Sequence, residues 1–180
     1  MAIGLLILRL VVGITFVAHA VQKLFGWFGG GGIAGTAPFM EQLGFRPGRL
    51  QAVLAGLIEA TAGFLLAVGF FLPFAAAMTM SVMFVATVTV HLAKGFFIQK
   101  GGYEYNLALA ASALALAFTG PGELSLDAVL GITWSGPLSG MTALALGLLG
   151  GGLQLATRKR RSSAQGSTHE VGQKGTRAIS

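Results

Sequence analysis

The chain has 180 residues, of which 54% are apolar and only 10% are charged. Water-soluble globular domains carry roughly a quarter charged residues, so this composition excludes an ordinary soluble domain. The formal net charge of +6 would suit nucleic acid, but six of the twelve basic residues lie beyond Thr157, in a hydrophilic tail. Such a run is most simply a topological anchor near anionic lipid, and we expect no nucleic acid partner. The absence of cysteine excludes disulfides, thiol catalysis and cysteine-ligated metal sites.

Five apolar segments approach or exceed the roughly 20 residues that a helix needs to cross a bilayer. They predict an all-α, polytopic bundle of membrane helices whose main partner is the lipid bilayer. The fourth segment is the shortest, because the sequence Gly-Pro-Gly from Gly120 ends it. In chain order the predicted spans cover about residues 3–21, 50–70, 72–92, 103–119 and 137–156.

Between the first two spans, residues 24–48 are predicted to lie at the membrane surface. Phe25, Trp27 and Phe28 suit the headgroup region, where aromatic rings are enriched. Residues 29–32 are four glycines and predict a mobile linker, while residues 38–44 predict a short amphipathic helix on the membrane. The tail, residues 158–180, is rich in Ser, Gly, Gln and basic residues, which predicts disorder.

The placement of charge predicts the orientation. Five spans put residues 22–49, residues 93–102 and the tail on one side of the membrane. That side then holds eleven basic residues, whereas the loops on the other side hold none. Basic loops face the cytoplasm, so we expect a multi-pass plasma membrane protein with an external N-terminus and a cytoplasmic C-terminus.

Two charged residues, Arg9 and Glu59, lie inside predicted spans. A charge at the bilayer centre costs about 2.5–3.5 kcal/mol on insertion scales, so it needs a partner or a cavity. The two helices run in opposite directions, and the rise per residue puts the two side chains about 7 Å apart along the membrane. We therefore predict a buried Arg9–Glu59 ion pair, which would be either a helix-packing clamp or a proton or substrate-anion site.

Small residues share helical faces with these charges. A spacing of four between small residues lets membrane helices approach closely, so these faces are predicted to pack together. The same spacing predicts a contact through Gly147 and Gly151 on the fifth span. The two faces comprise Arg9, Gly13, Phe16, His19 and Lys23 on the first span, and Ala52, Gly56, Glu59, Ala60 and Gly63 on the second.

A second polar group is predicted at one membrane level on the cytoplasmic side. Histidine changes charge near neutral pH, so the group could hydrogen-bond a quinone carbonyl or relay its protons. Interfacial anchoring by Lys and Tyr is the plainer alternative. Ligation of a haem would need two apposed histidine rings around a flat cavity, and we expect neither haem nor another metal site. The predicted quinone-binding residues are His19, Lys23, His91, Lys94, Tyr103 and Glu104, accompanied by Gln22 and Tyr105.

Several motifs in order resemble the DoxX family of membrane proteins. They read LRLVVG from Leu8, HAVQKLFGWFGG from His19, GGYEY from Gly101 and GPGELSLD from Gly120. The resemblance implies a four-helix membrane domain over residues 1–130, to which this chain adds a span within residues 131–157. It also implies functional positions, because some relatives are subunits of membrane redox systems that pass electrons to quinone. These positions are Arg9, His19, Lys23, Glu59, His91, Glu104 and Asp127.

Two hypotheses of function follow. In the first, the protein is the quinone-facing membrane subunit of an oxidoreductase whose redox cofactors lie on a soluble or membrane partner. The candidates for catalytic residues are then Arg9, Glu59, His19 and His91. In the second, it is a noncatalytic membrane anchor or assembly scaffold, and the buried polar residues specify helix packing.

Overall fold

The computed structural model describes residues 1–159, and in that part of the chain all regular structure is helical. The prediction of an all-α membrane bundle is confirmed. After α4 the chain continues as a π-helical turn over Thr87–His91 and a 3₁₀ turn over Leu92–Lys94, and a second 3₁₀ turn covers Ile98–Lys100. The α-helices are α1 Ala2–Phe25, α2 Gly32–Gln42, α3 Gly48–Val68, α4 Leu72–Ala86, α5 Glu104–Thr119, α6 Leu126–Val129 and α7 Gly136–Ala156.

Within the described residues, four helical segments are long and apolar enough to cross a membrane. They leave large apolar side chains such as Ile7, Leu57 and Leu149 more than half exposed, although Arg9 and Glu59 are buried. A soluble protein has the opposite pattern, because Arg and Glu are almost never fully buried unless paired. The outer surface of the bundle is therefore suited to lipid. The four segments are Ala2–Phe25, Gly48–Val68, Leu72–Lys94 and Gly136–Ala156.

The remaining long helix, α5, has 16 residues and is about 24 Å long at 1.5 Å per residue. Its first turn bonds to the chain that leaves α4, since the Glu104 amide donates to the Phe96 carbonyl at 2.9 Å. Its last residue precedes Gly120, which packs against Trp134 and Ser135 just before α7. α5 thus runs from the end of α4 to the start of α7 and is the fourth of the five long helical segments of the bundle.

Glycines lie in the two most extensive helix contacts, between α1 and α3 and between α4 and α7. A Cβ built on Gly13 of α1 would lie 2.5 Å from the Gly63 carbonyl oxygen of α3, and the reverse distance is also 2.5 Å. On α7, Gly147 packs against Met80 and Gly151 against Phe84, both of α4. The predicted contact through the α7 glycines is confirmed. α4 and α7 run parallel, because the residue numbers of both helices increase in the same direction along the contact.

The bundle has two distinct ends. α1, the α4 segment and α7 finish at the end where α3 and α5 begin; we call it the basic end. The opposite end holds Met1, the α3–α4 corner and residues 120–135. Met1 and Lys159 therefore lie at opposite ends, as an odd number of crossings requires. The basic end carries Lys23, Arg46, Arg49, Lys94, Lys100, Arg158 and Lys159.

The segment after α1 and the start of the tail are more ordered than the sequence predicts. α2 begins at Gly32 and not near Pro38, so only part of the glycine run is a connection. At the other end of the chain, the Lys159 amide donates to the Gly44 carbonyl at 2.9 Å, and the Arg158 side chain bonds to the Leu43 carbonyl. The rest of the predicted disordered tail, residues 160–180, lies outside the described residues.

Candidate functional site

A buried carboxylate lies between α1 and α3 towards the basic end. Glu59 is only 2% exposed, and its Oε1 accepts a hydrogen bond from the Lys23 ammonium, with which it forms an ion pair. Its other oxygen, Oε2, is also buried and has no hydrogen-bond partner among residues 1–159. The Lys23 side chain is 29% exposed, so the pair reaches from the helix interface to the edge of the bundle.

The predicted Arg9–Glu59 ion pair is wrong, because Glu59 pairs with Lys23 instead. The reason is the register of α1 on α3. Gly13 lies opposite Gly63, so Arg9, four residues before Gly13, is level with α3 residues near 67. Eight residues of helix, or about 12 Å, then separate Arg9 from the level of Glu59. The contact between Gly13 and Gly63 sets the offset of α1 along α3. The prediction estimated this offset from the ends of the apolar segments, which do not determine it.

Arg9 lies instead near the opposite end, where it holds the 120–131 loop. Its side chain is fully buried and donates to the Leu124 carbonyl. Asp127, also fully buried, accepts a hydrogen bond from the Phe71 amide at 3.1 Å and lies more than 4 Å from the Arg9 nitrogens. A Cβ on Gly69 would overlap Nη1 of Arg9, so glycine makes room for the guanidinium. Arg9 and Asp127 thus clamp this loop onto the α3–α4 corner.

His19 extends the polar group around Glu59 towards α5. Its Nε2 lies 3.4 Å from the Tyr105 hydroxyl, and the two rings meet edge to face with centroids 6.1 Å apart. His19 is one helical turn before Lys23, so their side chains are neighbours on the α1 surface. Tyr105, His19, Lys23 and Glu59 therefore form a row across three helices, which we call the polar row. Tyr105 is 36% exposed, so the row opens on the outer surface of the bundle.

The other predicted quinone-binding residues have separate partners. His91 ends the π-helical turn, and its Nδ1 lies 2.6 Å from the Gly101 carbonyl oxygen. The Lys94 side chain also lies beside Gly101. π-Helical turns often occur at functional sites. Here the turn places His91 against the loop after α4. The first residue of the turn, Thr87, accepts a hydrogen bond from the Asn106 side chain of α5 at 3.3 Å.

Tyr103 and Glu104 also stabilise this loop. The Glu104 carboxylate accepts a hydrogen bond from the Ile98 amide at 3.0 Å, and the Tyr103 ring packs edge to face on Phe96. These contacts fix the start of α5 and hence the position of Tyr105. The structure thus divides the predicted group into two sets: His19 and Lys23 join Glu59, while His91, Lys94, Tyr103 and Glu104 shape the loop.

Sequence reasoning missed the Lys23–Glu59 pair although it named both residues. The available signal was that both residues lie on the helix faces predicted to pack together.

Within residues 1–159, no three His, Cys, Asp or Glu side chains come together as a group that could hold a metal ion.

Comparison with known proteins adds a family to this geometry. The DoxX family model matches residues 4–92. The chain is 30% identical over 128 residues to the inner membrane protein YphA of Escherichia coli strain K12, a match that covers 68% of this chain and 87% of the relative. The chain belongs to the DoxX family. This confirms the resemblance drawn from its motifs.

A second DoxX-like relative agrees in kind. The inner membrane protein YqjF of the same strain is 28% identical over 132 residues, which cover 73% of this chain and 95% of the relative. No solved structure matches the chain. This DoxX protein is therefore a membrane protein, and these two relatives are inner membrane proteins. The family model includes His19, Lys23 and Glu59 of the polar row, whereas Tyr105 lies beyond the matched residues.

Proposed function

We propose that this DoxX protein is the membrane subunit of a redox complex and that its polar row binds a quinone headgroup. The observation that carries the proposal is the free Oε2 of the buried Glu59, whose partner Lys23 lies one helical turn from His19, the residue in contact with Tyr105. An unsatisfied buried group costs about 1–3 kcal/mol or more, and a ligand that donates a hydrogen bond to Oε2 would remove this cost.

The four side chains can hydrogen-bond both the oxidised form, quinone, and the reduced form, quinol. Quinone carbonyls accept hydrogen bonds, which Lys23, His19 or Tyr105 can donate. Quinol hydroxyls donate hydrogen bonds, which Oε2 of Glu59 can accept. The contact of 3.4 Å between His19 and Tyr105 is long for a hydrogen bond, so both groups remain available to a ligand. The exposed edge of Tyr105 provides entry from the lipid.

Reduction of a quinone to a quinol takes two electrons and two protons. The electrons must come from a soluble or membrane redox partner, because the four side chains of the polar row handle protons only. His19 and Glu59 can pass protons from the basic end, since histidine changes charge near neutral pH. We propose that the basic end faces the cytoplasm of a plasma membrane protein, as the distribution of Lys and Arg favours, with the N-terminus outside. The loop residues His91, Lys94, Tyr103 and Glu104 act by positioning Tyr105.

The test uses the full chain purified in mild detergent. Co-purified quinone is extracted and quantified, and binding of a quinone in its reduced form, decylubiquinol, is titrated because only its hydroxyls can donate to Oε2 of Glu59. Glu59→Gln keeps the shape of the side chain and removes its charge. Loss of a hydrogen bond to a charged group costs about 1.5–3 kcal/mol, so we expect quinone affinity to fall about ten- to a hundredfold. The control is Glu123→Gln, which removes an exposed carboxylate at the opposite end and should leave binding unchanged.

Unchanged quinone affinity in a well-folded Glu59→Gln protein would contradict the proposal. A haem absorption band from the purified protein would overturn it as well, since the histidines would then be candidate iron ligands. Folding is checked by helical circular dichroism and by a single elution peak, so that loss of the protein is not mistaken for loss of binding.

A noncatalytic membrane anchor for partner proteins is the second candidate. It is favoured by the exposed aromatic side chains after α1, where Phe25, Trp27 and Phe28 are 67%, 63% and 73% exposed. Trp27→Ala distinguishes the two functions. An anchor would lose a co-purifying partner in this variant and would show no quinone in the wild type, whereas a quinone-binding subunit keeps its quinone.

A further inference from the structure

A groove separate from the polar row lies between α2 and the first turn of α3. It has a volume of about 370 Å³ and is lined by Ile33, Ala34, Ala37 and Arg49. Three of these side chains are apolar, and the surface of the groove is almost entirely apolar, so Arg49 lines it with the aliphatic stem of its side chain. Ala34 and Arg49 are exposed, which leaves the groove accessible from outside the bundle.

Within the described part of the chain, no acidic side chain forms an ion pair with Arg49. The nearby carboxylate of Glu41 accepts a hydrogen bond from the Gly48 amide at 3.1 Å and so caps the start of α3. Within residues 1–159, no carboxylate oxygen lies within 4 Å of the Arg49 guanidinium. The planar fork of its N–H groups is therefore available to a ligand, and it matches the geometry of a phosphate.

We propose that this groove binds one anionic phospholipid, with its phosphate on Arg49 and an acyl chain along Ala34 and Ala37. Charge complementarity favours this occupant, because the groove lies at the end of the bundle that carries the other basic residues. Basic pockets between membrane helices on the cytoplasmic side bind anionic headgroups. Phe39 and Leu50, which are 44% and 51% exposed, lie on the same two helices as the groove and suit contact with lipid.

Lipid in the groove would also stabilise the neighbourhood of the polar row. The Thr36 hydroxyl of α2 donates to the backbone carbonyl of Lys23 at 3.4 Å. A lipid that bridges α2 and α3 therefore holds α2 against the end of α1. The proposal does not depend on quinone binding, since it concerns a different set of side chains.

The experiment measures lipid retention by the full-length protein. Protein in detergent is mixed with phosphatidylglycerol or phosphatidylcholine, and bound lipid is counted by native mass spectrometry while thermal unfolding is followed in parallel. Arg49→Gln removes the proposed phosphate ligand. Arg46→Gln is the matched control, because Arg46 is an exposed arginine at the same end that does not line the groove. Ala34→Phe fills the groove without changing charge.

We expect the wild type to retain phosphatidylglycerol in preference to phosphatidylcholine and to be stabilised by it. Arg49→Gln should weaken this binding about fivefold, because it removes the direct charge-assisted contact with the phosphate, and Arg46→Gln, which keeps that contact, should not. Ala34→Phe should weaken it while the protein stays folded. Equal effects of Arg49→Gln and Arg46→Gln, or equal retention of both lipids, would overturn the proposal. The same stabilisation by inorganic phosphate alone would also overturn it, in favour of a free-phosphate site.

Discussion

At Gly13, a single added methyl group should disrupt the contact between α1 and α3. In Gly13→Ala, the new Cβ would lie 2.5 Å from the Gly63 carbonyl oxygen and 2.8 Å from the Ala67 amide nitrogen. Ordinary contacts of a Cβ begin near 3.4 Å, so α1 and α3 must move apart by about 1 Å. Both opposing atoms belong to the main chain of a helix, and no change of side-chain rotamer can relieve the overlap.

Overpacking of this kind typically costs about 1–3 kcal/mol. The cost should exceed the gain in helix propensity from glycine to alanine, which is at most about 1 kcal/mol. Separation of the helices should also weaken the Lys23–Glu59 pair, because that pair bridges the same interface. We therefore expect Gly13→Ala to lower the free energy of unfolding and the quinone affinity together.

The control is Gly4→Ala in the same helix, where a Cβ meets nothing within 4 Å. This variant receives the same gain in propensity without the overlap, so its stability should equal or exceed that of the wild type. Thermal unfolding in detergent, followed by circular dichroism, compares the two proteins. If Gly13→Ala unfolds at the same temperature as Gly4→Ala, the close approach of α1 and α3 is refuted.

Two further predictions concern the opposite end and the orientation. Gly69→Ala and Gly29→Ala both place alanine at a positive φ, +68° and +77°, but only the first overlaps the Arg9 guanidinium. Gly69→Ala should therefore lower the free energy of unfolding by about 3 kcal/mol or more, because it displaces a buried charge. Gly29→Ala should lower it by only about 1–2 kcal/mol. Equal melting temperatures of the two variants would contradict this prediction. Because the chain has no cysteine, Thr133→Cys and Gln42→Cys provide unique labelling sites at the two ends. An impermeant maleimide should label Thr133→Cys in intact cells and Gln42→Cys only after permeabilisation; labelling of both from one side would exclude an odd number of crossings between them.

The local parts of the fold could be predicted from the sequence. Apolar length identified the spans, and the spacing of small residues identified Gly13, Gly63, Gly147 and Gly151 as contact positions. Burial of Glu59 followed from its place on such a face. These properties depend on the periodicity of one helix and on the cost of charge in lipid, and neither requires knowledge of the neighbouring helices.

The partners of the buried charges were decided by the tertiary structure. Sequence spacing allowed Arg9 to reach Glu59, but the contact between the Gly13 and Gly63 backbones sets a register that brings Lys23 there instead. In the same way, His91 and Glu104 bond to the loop after α4 and do not join His19. A shift of one helical turn moves a side chain by about 5.4 Å, more than the reach of a hydrogen bond, and apolar patterns do not fix helix register that finely. The sequence by itself therefore determined that Arg9 and Glu59 are buried, and only the packed backbone determined which side chains they meet.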